Sequence, residues 1–264
     1  MTAPVTETLR RDAPAERLRA DRLRFREAVA ELEAAQKPGA GVPAYMRWVN
    51  RRLGRYSAAA AYRLGWTPNV VTALSAVISF AGLALIAVAP PSVWVGLLAA
   101  TLLALGFALD SADGQLARLT GTGGPAGEWL DHVVDAVRGP ALHLAVLVGL
   151  WRGLGPEQSL VSGTWPLVVA LLFCLVTVGV FMSQVLAEQL SGRVHRDQGS
   201  TGAAKSFALL PMDTGVFCWV FVLWGFAEVF LATYVSLFVI NALYAGASMH
   251  RKFTHLRSLA GRTS

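Results

Sequence analysis

The sequence predicts an all-α integral membrane protein, with six transmembrane helices preceded by an amphipathic helix lying in the membrane interface. Three observations predict it. Of 264 residues, 54% are hydrophobic and 15% charged, and the mean hydropathy of +0.48 lies outside the ordinary soluble range. Apolar runs of roughly 20 residues, the length that crosses a bilayer core, recur through the chain after the Thr67-Pro68-Asn69 turn. Basic residues alternate between the loops as cytoplasmic retention of Lys and Arg requires.

Residues 1–40 read as a charged cytoplasmic N-terminal segment, in which Leu18, Phe25, Val29 and Leu32 fall at helical spacing. A solvated helix is expected there, ended by Lys37-Pro38-Gly39. No apolar stretch among the first residues has the form of a cleavable signal peptide. In residues 41–66, Tyr45, Met46, Val49, Leu53, Tyr56, Ala60 and Leu64 share one face, with Arg47, Arg51 and Arg55 opposite. That pattern suits a helix lying in the interface. The transmembrane domain covers residues 67–250, with spans expected at about 70–89, 93–117, 128–150, 165–188, 212–226 and 229–249. The fifth is the shortest, and no repeat of fixed period is present. Residues 251–264 form a basic cytoplasmic tail.

Of the 23 basic residues, thirteen precede the first span; Arg118 follows the second, Arg193, Arg196 and Lys205 follow the fourth, and Arg251, Lys252, Arg257 and Arg262 follow the sixth. The opposite side holds Arg152 alone. An even number of spans with both termini cytoplasmic satisfies this distribution, and in a bacterium the membrane would be the plasma (inner) membrane. The net charge of +6 and pI near 9.8 do not indicate nucleic acid, because the basic residues flank apolar segments rather than interleaving with aromatics on a polar domain. Membrane lipids with anionic headgroups are the expected partner. Cys174 and Cys218 lie in apolar segments, so neither a disulfide framework nor a metal knuckle is indicated.

Against this background, Asp110, Asp113, Asp131 and Asp135 in spans two and three demand an explanation. A carboxylate at a span centre costs roughly 2.5–3.5 kcal/mol on insertion scales. Asp110 and Asp113, three apart, share one helical face; Asp131 and Asp135, four apart, share another. If the two spans pack as an antiparallel hairpin around the loop LTGTGGPA, the faces meet at the cytoplasmic mouth. Carboxylates so gathered call for hard divalent cations. Mg²⁺ or Mn²⁺, as a pair about 3.5–4 Å apart, would form a phosphoryl-transfer centre. Gly114 and Ala117 leave space beside the carboxylates, Arg118 offers a permanent charge to phosphate, and Gly127 keeps the start of the next helix open.

The pattern Asp110-x2-Asp113-Gly114-x2-Ala117-Arg118-x8-Gly127-x3-Asp131-x3-Asp135 resembles, in every fixed position, the signature of the CDP-alcohol phosphotransferase family. The resemblance extends more loosely over residues 41–250 through the six-span layout and the Thr-Pro-Asn turn. It implies metal-dependent transfer of a substituted phosphate from a CDP-alcohol to a second alcohol, with release of CMP, in phospholipid synthesis. One of the two alcohols is then lipidic, the cavity faces the cytoplasm, and a homodimer is the family's frequent state. It implies further that Asp110, Asp113 and Asp131 ligate metal, that Asp135 is another ligand or the base, and that Asp110, Asp113, Gly114, Ala117, Arg118 and Gly127 border the cytidine diphosphate.

Branches of the family differ in which substrate is lipidic. A CDP-diacylglycerol donor with a small polar acceptor, phosphorylated or not, is the leading expectation; Arg138, three residues past Asp135, would bind an acceptor phosphate or else neutralise Asp135. The alternative is a soluble CDP-alcohol with a lipid acceptor. Ala136 stands where many phosphatidyltransferases have Lys or Arg, and GEWLDH at residues 127–132 is similar to the GELFDH of choline- and ethanolaminephosphotransferases. On that branch Glu128 or His132 would share the base's role, whereas Glu128 otherwise serves the helix N-terminus. For the cluster Arg193, His195, Arg196 and Lys205, contact with phosphates or headgroups is one reading and cytoplasmic retention, which needs no site, the favoured one; His143 is read as a packed interior residue. A cation-coupled transporter is the rival of another class; clustering on one hairpin near its mouth, without inverted repeats, disfavours it.

Overall fold

The computed structural model describes residues 24–36, 39, 41–153, 163–191 and 202–260. Among these residues the chain is helical, with no strand. Leu18, Arg193, His195, Arg196 and Arg262 lie outside the described residues. Five helices are long and apolar enough to cross a membrane: α3 (Pro68–Val88), α4 (Val93–Thr120), α5 (Pro125–Gly153), α6 (Trp165–Leu190) and α9 (Ala227–Ala260). They are preceded by α1 (Phe25–Ala34) and α2 (Arg51–Leu64), and separated by the short α7 (Ala203–Ala208) and α8 (Thr214–Val220).

The exterior is apolar at mid-helix: Val77 is 66% exposed, Leu175 65% and Leu243 71%. Water does not tolerate such a surface over whole helices, whereas lipid requires it. Exposed tryptophans cluster at helix ends, with Trp94, Trp151 and Trp165 on one side and Trp66 and Trp129 on the other, as interfacial anchoring favours. Inside, an aromatic cluster joins α5, α6, α8 and α9. Phe173 packs edge-on to Phe217 at 5.3 Å, Trp224 meets Phe230 at 4.8 Å, and His143 stacks on Phe173 at 4.0 Å.

Local chemistry sets the helix ends. Thr67 accepts a bond from Val70 N, and Pro68 occupies the first turn of α3, where its missing N–H costs nothing. Ser92 caps α4 in the same way, and Gly121, at φ 66°, ends it in a left-handed conformation that glycine adopts without strain. Residues 121–124 then turn the chain back into α5, but the expected packing of α4 directly on α5 is not what forms: α3 packs against both, and α4 and α5 touch each other little. Helices α3 and α4 approach closely at Gly106, whose carbonyl accepts from Ser75 Oγ at 3.0 Å. A Cβ at Gly106 would run into Ser79, so small residues set this crossing.

The predicted span at 212–226 differs most. It consists of α8 followed by a 3₁₀ helix, Phe221–Gly225, together about 20 Å long and therefore shorter than a bilayer core. Asp213 at its start accepts from Met46 N at 2.9 Å and Gly215 N at 3.0 Å. At its other end a Cβ on Gly225 would strike the first residue of α4. The segment thus runs alongside the first half of α4, mostly buried.

Helix α2 opens with a π-helical stretch, Met46–Asn50, that turns Asn50 inward to donate to Phe107 O at 3.0 Å. Gly54 brings α2 onto α4, where a Cβ would sit 2.9 Å from Ser111 Oγ. The predicted apolar residues Val49, Leu53, Tyr56 and Leu64 point outward, at 41–64% exposure. The expected solvated helix in the N-terminal segment is α1, but it is docked: Ala28 and Leu32 are buried against Ala58, Ala61, Ala112 and Leu116. Burial of a small apolar face outweighs solvation there. Likewise residue 250 is no structural boundary, since α9 continues without a break through Ala260.

Candidate functional site

Helices α4 and α5, both packed on α3, bring three of the four aspartates together. Carboxylate oxygens of Asp110, Asp113 and Asp131 all lie within 4.8 Å of one another. Asp113 is buried at 7% exposure, whereas the Asp131 and Asp135 side chains are more than one-third exposed. The site therefore has a dry floor on α4 and a wetter rim on α5.

Neighbouring groups hold each carboxylate in place. Asp113 Oδ2 accepts from Thr72 Oγ1 at 2.5 Å, and Oδ1 accepts from Gly114 N at 2.5 Å. Arg138 bridges the two helices: its Nη2 lies 2.7 Å from Asp110 Oδ1 and also bonds Asp135 Oδ1, while Nη1 donates to Ser75 Oγ at 3.2 Å. With only 12% of its side chain exposed, Arg138 neutralises charge in the interior. Asp135 stands beside the trio as the partner of this guanidinium.

Around the trio, a Cβ at Gly114 would meet only Arg118 Nη1 at 3.6 Å, and one at Gly127 only Asn69 Oδ1 at 3.5 Å. Space is open beside the carboxylates at both glycines. Arg118 is exposed in the last turn of α4, and Ala117 lies one turn before Gly121. Glu128 is in the first turn of α5, and its main-chain oxygen lies 2.7 Å from His132 Nδ1. That ring nitrogen is 4.0 Å from Asp131 Oδ2. Lys205 is exposed on α7. His143 is saturated by structure, with Nδ1 2.7 Å from Tyr234 OH and Nε2 3.0 Å from Thr177 Oγ1.

Thr72 and Ser75 were not singled out by sequence reading. The signal was present, since Thr72, Ser75 and Ser79 recur at three- and four-residue spacing in an apolar span, which places hydroxyls on one helical face.

Three carboxylates within reach of one point, all hard oxygen donors, suit a divalent cation such as Mg²⁺ or Mn²⁺. Arg138 offsets only part of the negative charge of the four aspartates. A family model described as CDP-alcohol phosphatidyltransferase matches residues 65–253, a stretch that includes all four. No curated protein matches the chain.

Proposed function

Because the chain belongs to the CDP-alcohol phosphatidyltransferase family, whose members transfer a phosphatidyl group from a CDP-alcohol in phospholipid synthesis, we propose that it uses CDP-diacylglycerol as donor and a small polar alcohol as acceptor. The observation that carries the reading is the convergence of Asp110, Asp113 and Asp131 from two helices. Support for the donor comes from the family's description, because phosphatidyl is the group that CDP-diacylglycerol carries.

In the proposed reaction the acceptor's hydroxyl oxygen attacks the phosphorus that bears the diacylglycerol. A new P–O bond forms there, the bond from that phosphorus to the bridging oxygen breaks, and CMP departs with that oxygen. Asp110, Asp113 and Asp131 would hold the metal, which when bound neutralises the diphosphate and stabilises the charge on departing CMP. Gly114, Ala117 and Gly127 leave room for the cytidine diphosphate, and Arg118 contacts its phosphates. Asp135, anchored through Oδ1 by Arg138, takes the hydroxyl proton on Oδ2. Arg138 is occupied by Asp110, Asp135 and Ser75, which favours its role as internal counter-charge over a role in gripping an acceptor phosphate.

We further propose a six-crossing topology, with the 213–225 segment as the fifth crossing, both termini and the site cytoplasmic, α2 in the interface, and a homodimer as the assembly. The short fifth crossing is supported by the burial of one side of the segment, including Phe217, Cys218, Val220, Phe221 and Trp224, against neighbouring helices. A second reading rests on GEWLDH: His132 beside Asp131 suits a base for a lipid acceptor with a soluble CDP-alcohol donor.

The deciding experiment measures CMP release by purified protein supplied in turn with CDP-diacylglycerol plus a set of small polar alcohols, and with CDP-choline or CDP-ethanolamine plus diacylglycerol. Release from CDP-diacylglycerol alone, abolished by EDTA and restored by Mg²⁺ or Mn²⁺, is expected. Release that survives chelation would refute the metal assignment, and release only from the soluble donors would reverse the donor assignment.

A further inference from the structure

Outside the catalytic hairpin, a cavity of about 540 Å³ opens between α1 and α2, within the roughly 300–1,000 Å³ of small-molecule sites. Its lining is strongly basic: Arg47, Arg51, Arg52 and Arg55 face Glu33, with Trp48 at its edge. Glu33 binds Arg55 at 2.6 Å, which leaves a surplus of positive charge across the rest of the lining. Arg47 is fixed rather than loose, since Nη1 donates to Ser206 Oγ at 3.1 Å and the guanidinium lies 5.0 Å from the Trp48 ring centre. Burial, followed by the charges of Arg118 and Arg47, pushes Arg51 below the usual guanidinium range. A bound anion would relieve that repulsion.

We propose that this cavity binds the phosphate-bearing headgroup of an anionic membrane lipid. Charge complementarity selects an anion, and guanidinium forks, that of Arg47 held by Ser206, suit phosphate oxygens. The adjoining surface selects a lipid over a soluble ion. Arg52 lies three residues from Val49 and four from Tyr56, so it shares their stripe of the helix. Val49, Tyr56 and neighbouring Leu53 are 41–46% exposed, a surface against which acyl chains can lie while the headgroup enters the cavity.

The test compares retention of dioleoylphosphatidylglycerol and dioleoylphosphatidylcholine by the full chain in neutral detergent, read by native mass spectrometry with inorganic phosphate as a separate arm. Wild type should prefer phosphatidylglycerol by at least about fivefold, the effect of one basic side chain near a charged surface. Arg52→Gln, a change at an exposed side chain, should remove most of that preference. Glu33→Gln should raise it, a gain that a merely destabilised protein would not show. Equal retention of both lipids by wild type would overturn the proposal. So would an unchanged preference in both variants, or saturation by inorganic phosphate with no lipid preference.

Discussion

Asp113 is the most constrained residue of the site, because burial and two short hydrogen bonds fix both of its oxygens. Asp113→Asn or Asp131→Asn should abolish CMP release while leaving folded protein in the membrane, checked by turnover beside size-exclusion profiles in detergent. Thr72→Val keeps side-chain shape and removes the hydroxyl that bonds Asp113. Losing a hydrogen bond to a charged group costs roughly 1.5–3 kcal/mol, so turnover should fall about tenfold or more, beside a drop of several degrees in melting temperature. A fall in melting temperature without loss of rate would make Thr72 a packing residue only. The aspartates were legible in the sequence because a charge in an apolar span is costly and therefore conspicuous. Thr72 and Ser75 were not, since a hydroxyl can return its hydrogen bond to its own helix and carries no comparable penalty.

At the scale of elements, Asp213 ties the start of the 213–225 segment to the beginning of α2 through Met46 N and also caps α8 through Gly215 N. Asp213→Ala removes a cap and strands a main-chain donor, at a cost of roughly 2 kcal/mol or more. Thermal unfolding in detergent should show a clear drop, with Asp213→Asn retaining part of the stability. An unchanged midpoint would mean that α2 is held by its packing on α4 alone. Hydropathy located the first four spans to within a few residues, because lipid exposure imposes long apolar runs, but it ended the last one well short of Ala260. It could not show that residues 221–225 wind as a 3₁₀ helix, which follows from tertiary contact with Gly96 and Val93. Nor could it show that α1 docks, since Ala28 and Leu32 make too small an apolar stripe to stand out from a solvated helix.

For the whole molecule, the proposed orientation places residues 121–124 and 89–92 on opposite sides of the membrane. Single cysteines at Thr122 and Ser92, in a background lacking Cys174 and Cys218, should react with an impermeant maleimide from opposite faces. In intact cells Ser92→Cys should label and Thr122→Cys should not; the reverse pattern would invert the topology. The arginine distribution is what argues for this orientation, whereas the route by which the α4 charges are balanced was visible only once the helices were placed together. Asp110 on α4 finds its guanidinium on α5, and that has a consequence for biogenesis. A ribosome releasing the chain from its N-terminus delivers this aspartate twenty-eight residues before Arg138. The translocon must then either hold the first helix back until the second emerges or surrender it to lipid with its charge uncovered, so the two should enter the bilayer as a pair.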